Sequence, residues 1–447
     1  VVDSSEKGYR TVIPGPQYNR SGLHQLFRGK HYRKEWTTPV KLPAIQLETA
    51  PGGLKPAPDT DNNHGTLLLK GPGGKQYILR AINKTYSGGL PEIYSNTFVE
   101  RLANDQASSV HPFASLTVAG MAEAADIYHT HPRVVFVLPS TALGNYNATF
   151  GNNICVLEEI AVGNESKAAS FENPDQMINT SDLLEKIKNE NAHHIDQRAY
   201  VRARLFDMFL GDWERHEDQW TWAGFDSAGY TIYRPIPRDR DQTYTKFDGL
   251  FSGIATSLAD LDHVESFDFK IRNIKTYNFS ARNLDRRCAN EVSKDVWVSE
   301  ARYLQQVLTN QVIETNVKKM PPEMFAISGE KIIATLKARR DQLEQSANDY
   351  YHFLAREVDI RGSKEEELFL IEKLSEREVR IQVFGIDAKG NFSQKPFYSR
   401  LFNADETKEI RVYGIRGKDH YRVEGNESRI NIRIIGGTDS DSVTNAS

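Results

Sequence analysis

Positions 211–220 read GDWERHEDQW, and positions 237–244 read PRDRDQTY. Phosphoryl transfer needs an acid to position a hydroxyl, an amide to hold a metal ion and a later acid to hold metal against phosphate. Glu214 and Gln219 stand five residues apart, the acid-to-amide spacing of such a site, and Asp239 or Asp241 supplies the later acid. The apolar, aromatic run from Tyr230 to Pro237 predicts a strand that enters a turn just before these aspartates. His216 lies between the acid and the amide. Asp212, two residues before Glu214, is a reserve candidate for the first acid.

Written as patterns, E-R-H-x-x-Q and D-R-D-x-x-Y resemble the catalytic D-R-H-x-x-N and metal-binding D-x-D-x-x-F segments of atypical kinases of the HipA-like, lipid-kinase-like and CotH-like types. The resemblance implies that Glu214 stands for the catalytic acid, His216 for the structural histidine, Gln219 for the metal-binding amide and Asp239 for the metal acid, with Asp241 beside it. It also implies ATP or another phosphate donor, carried with Mg²⁺ or Mn²⁺. Glu in place of Asp and Gln in place of Asn each add one methylene, about 1.5 Å of reach. A misplacement of about 1 Å costs about a hundredfold in rate. Two functions therefore stand side by side. One is a catalytically silent, kinase-like module that binds or scaffolds; the other is an active metal-dependent phosphotransferase. On the scaffold reading, Trp213, His216, Trp220 and Trp222 are packing, and the DRD turn pairs with Arg215 and Arg238.

A second resemblance covers nearly the whole chain. LFRGKHYRKEWTTPVKLP at 26–43 and GGLKP at 52–56 precede the two motifs, and KEIRVYGIRGKDHYRVEG at 408–425 follows them. This series is similar to the soluble region of large Bacteroidota surface proteins, which often join a metallophosphoesterase domain before it to a BamA-like outer-membrane barrel after it. The resemblance implies a periplasmic or cell-surface location. It also implies a partner in a membrane-anchored barrel or another outer-membrane protein.

A chain of 447 residues predicts two or three domains. Its 39% hydrophobic and 26% charged residues describe a globular protein. With 56 basic and 60 acidic residues, the net charge of −4 excludes a global pull toward a nucleic-acid polymer or an anionic membrane. No window approaches about twenty consecutive apolar residues, so the chain itself is not expected to insert into a bilayer. Cys155 and Cys288 are too few for a disulfide framework. Cys155 lies in the apolar run ICVLEEI and reads as buried. Cys288 follows two arginines and could be an exposed thiol, but reads rather as structural or incidental.

Residues 1–60, rich in proline, glycine and turn formers, predict an extended wrapping segment. An N-lobe-like α+β unit is expected over 61–160. Within it HGTLLLK, the turn GPGG and KQYILRAI predict a hairpin. On the kinase-like reading Arg80 takes the place of the strand cation that meets phosphates, with Lys84 as the alternative. Residues 91–109 predict a helix whose Glu100 or, preferably, Asp105 faces that cation. DNNHG at 61–65 is a candidate phosphate-covering turn. VVFVLP and ICVLEEI predict adjacent strands, with Glu158 and Glu159 where the lobes would hinge.

A mainly helical, C-lobe-like unit is expected over 161–325. Asp182 and Glu185 form a capping box for a helix over 182–191, and a helix over about 194–210 delivers the GDWERHEDQW loop. Ile332, Leu336, Leu343, Ala347, Tyr350 and Leu354 recur every three or four residues, predicting one long helix over 326–358. After Asp359, short β-branched runs separated by polar turns predict a β-sandwich-like domain over 359–447. Its GGTDSD, at 436–441, resembles one copy of a calcium-binding glycine–aspartate repeat. The fold class is α+β: a two-lobe kinase-like body with an extended N-terminal segment, a long C-terminal helix and a small all-β domain.

Overall fold

The computed structural model describes residues 8–22, 25, 29–50, 52–58, 65–83, 105, 107–160, 171–248 and 265–446. Lys84, Glu100, most of the expected helix at 91–109 and the DNNHG turn up to His64 lie outside the described residues. The architecture is α+β: a sheet-based lobe, a mainly helical lobe and an all-β C-terminal domain.

The first lobe is a seven-stranded sheet built from β1 (Tyr9–Val12), β2 (Val40–Ile45), β3 (Lys55–Pro56), β4 (Thr66–Lys70), β5 (Gln76–Ala81), β6 (Arg133–Val137) and β7 (Asn153–Ile160), in the order β1-β2-β6-β7-β5-β4-β3. The hairpin expected around GPGG is β4–β5, with Thr66 opposite Arg80 and Lys70 opposite Gln76. Gly73 and Gly74 turn it at φ 67° and 81°, a region open to glycine at no steric cost. Alternation along the strands sends Leu67, Leu69, Leu79, Cys155 and Leu157 into one apolar cluster. Arg80 and Glu158 share the opposite face. The N-terminal segment does more than wrap: β1 and β2 extend one edge of the sheet and β3 the other, so their backbone groups find ladder partners.

The helical lobe carries a four-stranded sheet of β8 (Gln176–Asn179), β9 (His193–Ile195), β10 (Trp220–Ser227) and β11 (Tyr230–Pro237), ordered β8-β10-β11-β9. Its first helix, Thr180–Asn189, begins before the expected Asp182. The cap is Asn179, whose side chain accepts from the Asp182 N–H at 2.8 Å. The next helix is Gln197–Leu210, capped by Asp196, which accepts from the Ala199 N–H at 3.0 Å. His193 and His194, expected near its start, instead pair in parallel with β11. Tyr200, Leu205, Phe206 and Phe209 are wholly buried, so this helix is the axis of the lobe.

The amphipathic run near 328–358 forms two helices, Glu330–Asp341 and Leu343–Ala355, meeting at Gln342 (φ −102°, ψ 3°). Just before the break, Arg339 turns inward and its Nε donates to the carbonyls of Met208 and Phe209, each at 3.1 Å. Those are last-turn carbonyls of the axial helix, which have no partner inside the helix itself. No helix among the described residues is long and apolar enough to cross a membrane. Both cysteines are free and buried, Cys288 included.

The C-terminal domain pairs a sheet of β12 (Glu357–Arg361), β16 (Glu409–Tyr413) and β18 (Asn431–Ile435) with one of β13 (Glu367–Lys373), β14 (Glu378–Gly385), β15 (Tyr398–Asn403), β17 (His420–Glu424) and β19 (Ser442–Ala446). Val358, Ile360, Phe369, Ile371, Ile381 and Ile410 fill the space between them. From β16 onward the chain changes sheet at every strand, with strands beginning at 409, 420, 431 and 442. At these crossings Asp441 accepts from the Asp419 N–H at 3.1 Å, and Asp419 from the Glu367 N–H at 3.0 Å. The GGTDSD carboxylates cap the backbone: Asp441 also accepts from Gly437 N–H at 3.0 Å, and Asp439 from Gly417 N–H at 3.2 Å.

Candidate functional site

The axial helix ends at Gly211, in the left-handed region at φ 76°. A Cβ there would meet Phe267 Cδ2 at 2.5 Å, so glycine alone lets the chain turn and drop Asp212 into the core. Asp212 is fully buried, gripped by Arg215 and by Arg240 at 3.1 Å. Asp207, one turn earlier, is held by Arg240, by Arg204 at 2.7 Å and by Arg215 at 3.4 Å. Arg204 reaches on to Asp285 at 2.8 Å, and Asp285 accepts the hydroxyls of Tyr200 and Tyr350 at 2.6 and 2.5 Å. Burial works against the charge of Asp207, but Arg240, Arg215 and Arg204 outweigh it and hold the carboxyl below its usual range.

This lattice corrects one expectation. Asp212, the reserve acid, does not line the cleft described next; it is a structural anion in the floor. The DRD turn is tied by ion pairs of its Arg240 with Asp207 and Asp212 and of its Asp241 with Arg80 at 3.7 Å; Arg238, under the charge of Asp239, donates from Nη1 to the Thr221 hydroxyl at 3.2 Å. Arg204, Asp207 and Asp285 carried no motif. For Arg204 and Asp207 the sequence signal is a pair of opposite charges three residues apart in the mainly apolar second half of the axial helix; Asp285 has none.

Above the floor, between the sheet face of β5 and β7 and the loop before β10, lies a cavity of about 390 Å³. Arg80, Glu214, His216, Gln219, Asp239 and Asp241 all line it. Arg80 is only 6% exposed; it donates to Glu158 at 2.8 Å and lies 3.7 Å from Asp241. Burial opposes its charge, and the carboxylates of Asp239, Asp241 and Glu158 outweigh that and keep it ionised. Glu158, placed by the sequence at the hinge, is therefore the partner of the strand cation. Asp105 is not: it forms a fork with Arg33 at 2.9 and 2.6 Å, because the short helix Arg33–Thr37 reaches it first.

His216 has a side chain 45% exposed, 3.9 Å from Glu214 and 3.7 Å from Asp218. It takes no part in the aromatic packing. That packing is Trp220, Trp222 and Tyr200, with Tyr200 stacked on Trp222 at 5.8 Å. The Gln219 amide oxygen accepts from Arg215 Nη1 at 3.2 Å, and Arg215 also reaches the carbonyls of Arg238 and Asp239. One buried guanidinium thus joins the loop to the DRD turn.

Glu214, Gln219, Asp239 and Asp241 offer hard oxygen donors, the type that Mg²⁺ and Mn²⁺ prefer. Among the described residues, no three acidic, histidine or cysteine side chains converge as a preformed metal site. Mg²⁺ is usually held by one or two carboxylates together with substrate phosphates. The donor set therefore fits a metal that arrives with a nucleotide.

No family model matches the sequence, and no curated protein matches it. Solved structures similar to the chain include three kinases. The proinflammatory kinase CtkA of Helicobacter pylori is 12% identical, with 69% of this chain and 98% of that one covered and a TM-score of 0.34. HipA of Shewanella oneidensis, in a toxin–antitoxin complex with HipB and operator DNA, is 10% identical over 66% of this chain and 67% of that one, at a TM-score of 0.31. The Rio2 kinase of Chaetomium thermophilum, in an ADP/Mg²⁺–phosphoaspartate complex, is 11% identical over 65% and 72%, at 0.25.

Proposed function

We propose that this chain is a kinase-like module that receives a nucleotide with Mg²⁺ or Mn²⁺ in the cleft above the buried ion lattice. It serves chiefly as a binding or scaffolding element of an outer-membrane-associated bacterial protein. The observation that carries the nucleotide reading is the convergence of Arg80, Glu214, Gln219, Asp239 and Asp241 on one cavity of about 390 Å³, within the usual size of a small-molecule site, about 300–1,000 Å³. A buried guanidinium 3.7 Å from Asp241, with further oxygen donors on the same cavity, offers a cation for phosphate beside ligands for its metal. The membrane association rests on the motif series at 26–56 and 408–425 alone.

Scaffolding is favoured over turnover by one contact. The Gln219 oxygen that would ligate metal also accepts from Arg215 at 3.2 Å, so a guanidinium shares that oxygen with the metal and its like charge weakens the tight coordination that turnover needs. The second reading, an active phosphotransferase with Glu214 as its acid, is supported by the position of Glu214 on the same cavity.

Melting curves with ATP, GTP and ADP, each with and without Mg²⁺ or Mn²⁺, test the proposal beside an Asp239→Asn variant. A metal-dependent rise that the variant loses supports a nucleotide in the cleft. No rise with any nucleotide refutes it. Phosphate transfer to the chain or to an added peptide, lost in Glu214→Ala, would replace the scaffold reading by the transferase.

A further inference from the structure

A second cavity, about 300 Å³, opens where the helical lobe meets the all-β domain. One wall is the helix Arg282–Cys288, which presents Arg286 and Arg287; the facing wall is β12 and the turn after it, with Arg361; His193 and His194 of β9 flank them. The three arginines are not equally engaged. Arg286 donates to the Glu357 carbonyl at 2.7 Å and covers the Phe353 ring. Arg361 has Asp359 at 3.8 Å, but Asp359 is already bound by Arg411 at 2.7 Å. Arg287 has no carboxylate within ion-pair distance among the described residues, and its side-chain hydrogen bond, to the Leu184 carbonyl, is a long 3.5 Å.

The acids of this cavity offset the pair only in part: Asp359 is shared with Arg411, and Glu217 acts on Arg287 from a distance. Glu291 accepts from the Ser399 N–H at 3.1 Å, and Glu217 lies beyond ion-pair distance of Arg287. Burial first, and then the like charge of Arg361, work against ionisation of Arg287. Two guanidiniums from different domains thus line one polar cavity in which, among the described residues, Arg287 has no carboxylate in ion-pair reach and Arg361 shares Asp359 with Arg411, an arrangement that an anion between them relieves.

We infer that the domain junction is an oxyanion site, which takes the phosphate group of a small phosphate-bearing molecule between Arg287 and Arg361. Guanidinium forks match phosphate oxygens two at a time, which a lysine could not do. A cavity of this size admits a phosphate and a small body, not a polymer. The occupant bridges the helical lobe and the all-β domain, so it strengthens their contact. The cavity is distinct from the nucleotide cleft, although one loop lends Glu217 to this cavity and His216, Asp218 and Gln219 to the cleft.

Calorimetric titration of the full chain with inorganic phosphate, sulfate and citrate at constant ionic strength tests this, beside Arg287→Gln, Arg361→Gln and Asp239→Asn. Saturable phosphate binding is expected, weakened by about tenfold or more in either arginine variant and unchanged in Asp239→Asn. Arg361, with a side chain 43% exposed, is the variant least able to disturb the fold. Without added anion, Arg287→Gln should melt no lower than the parent, because the charge it removes has no carboxylate partner. No saturable binding overturns the proposal, and so does binding lost in Asp239→Asn but kept in both arginine variants. Binding of citrate without phosphate would overturn the phosphate assignment.

Discussion

Arg240, in the turn after β11, meets Asp212, in the loop after the axial helix, at 3.1 Å, and Asp212 is wholly buried. The two sequence motifs are thus fastened to each other beneath the cleft, by residues that do not face it. Asp212→Ala removes one anion and leaves Arg215 and Arg240 short of a partner. The expected loss is about 3–5 kcal/mol of folding stability. Glu214→Ala, at a part-exposed position, should cost less than about 1 kcal/mol. Urea denaturation of the two variants separates the structural acid from the cleft acid, and equal midpoints would contradict the assignment.

Arg80 and Glu158 form the corresponding pair in the sheet lobe. Arg80→Ala leaves Glu158, 5% exposed, without its cation, at an expected cost of about 3 kcal/mol or more. Arg80→Lys keeps the charge and loses the fork. It should fold more stably than the alanine variant yet show a smaller nucleotide-dependent rise in Tm than the parent.

Gly211→Ala tests the turn that delivers the loop. Its φ of 76° and the 2.5 Å approach to Phe267 act together, so a loss of about 2 kcal/mol or more is expected from thermal melts. A variant as stable as the parent would show that Phe267 yields freely.

The all-β domain should weaken as pH rises. Burial pushes Glu367 up to about 7 and Asp419 up to about 8, and the negative charges of Glu367 and Asp441 raise Asp419 further, against the hydrogen bond that it accepts from the Glu367 N–H at 3.0 Å. A group whose folded pKa exceeds its unfolded value, about 4, contributes stability below that value and loses it as pH climbs through the folded pKa. The loss falls between about pH 4 and about pH 8 and should be visible as a declining Tm of that domain by calorimetry. Asp419→Asn should flatten the slope; an unchanged slope would place the titration elsewhere.

The sheet lobe should behave the opposite way. Burial lowers His31 to about 4 and His111 to about 3, from 6.5. Above about pH 6.5 both are neutral folded or unfolded; below it the unfolded chain takes up protons that the folded one refuses. Stability therefore falls from about pH 6.5 down to about 4 for His31 and on to about 3 for His111, by about 1.4 kcal/mol per pH unit for each. Replacing His111 by Asn should shallow the acid limb of a stability–pH curve measured by urea titration.

How much of this was legible beforehand depends on the range of the interaction involved. Trp220 sits opposite Pro237 in the β10–β11 hairpin, and the Arg238 N–H donates to the Gln219 carbonyl at 2.8 Å. A hairpin's register follows from its turn and its alternation, so the nearness of Gln219 and Asp239 was already contained in two short motifs. The β4–β5 hairpin and the amphipathic run through Ile332 and Leu354 were legible for the same reason, since backbone geometry alone sets periods of two and three to four. Charge partners were not. Arg80 could have met Asp105 as readily as Glu158, and Asp212 could have faced a substrate. Which carboxylate a guanidinium finds depends on which distant segments lose water together: Arg33 and Asp105 are 72 residues apart, and Arg80 and Glu158 are 78. The amino-acid sequence by itself determined the elements and the residue types at the cleft. Only packing decided which charges became floor, which line the cavity, and which two arginines were left facing each other at the domain junction.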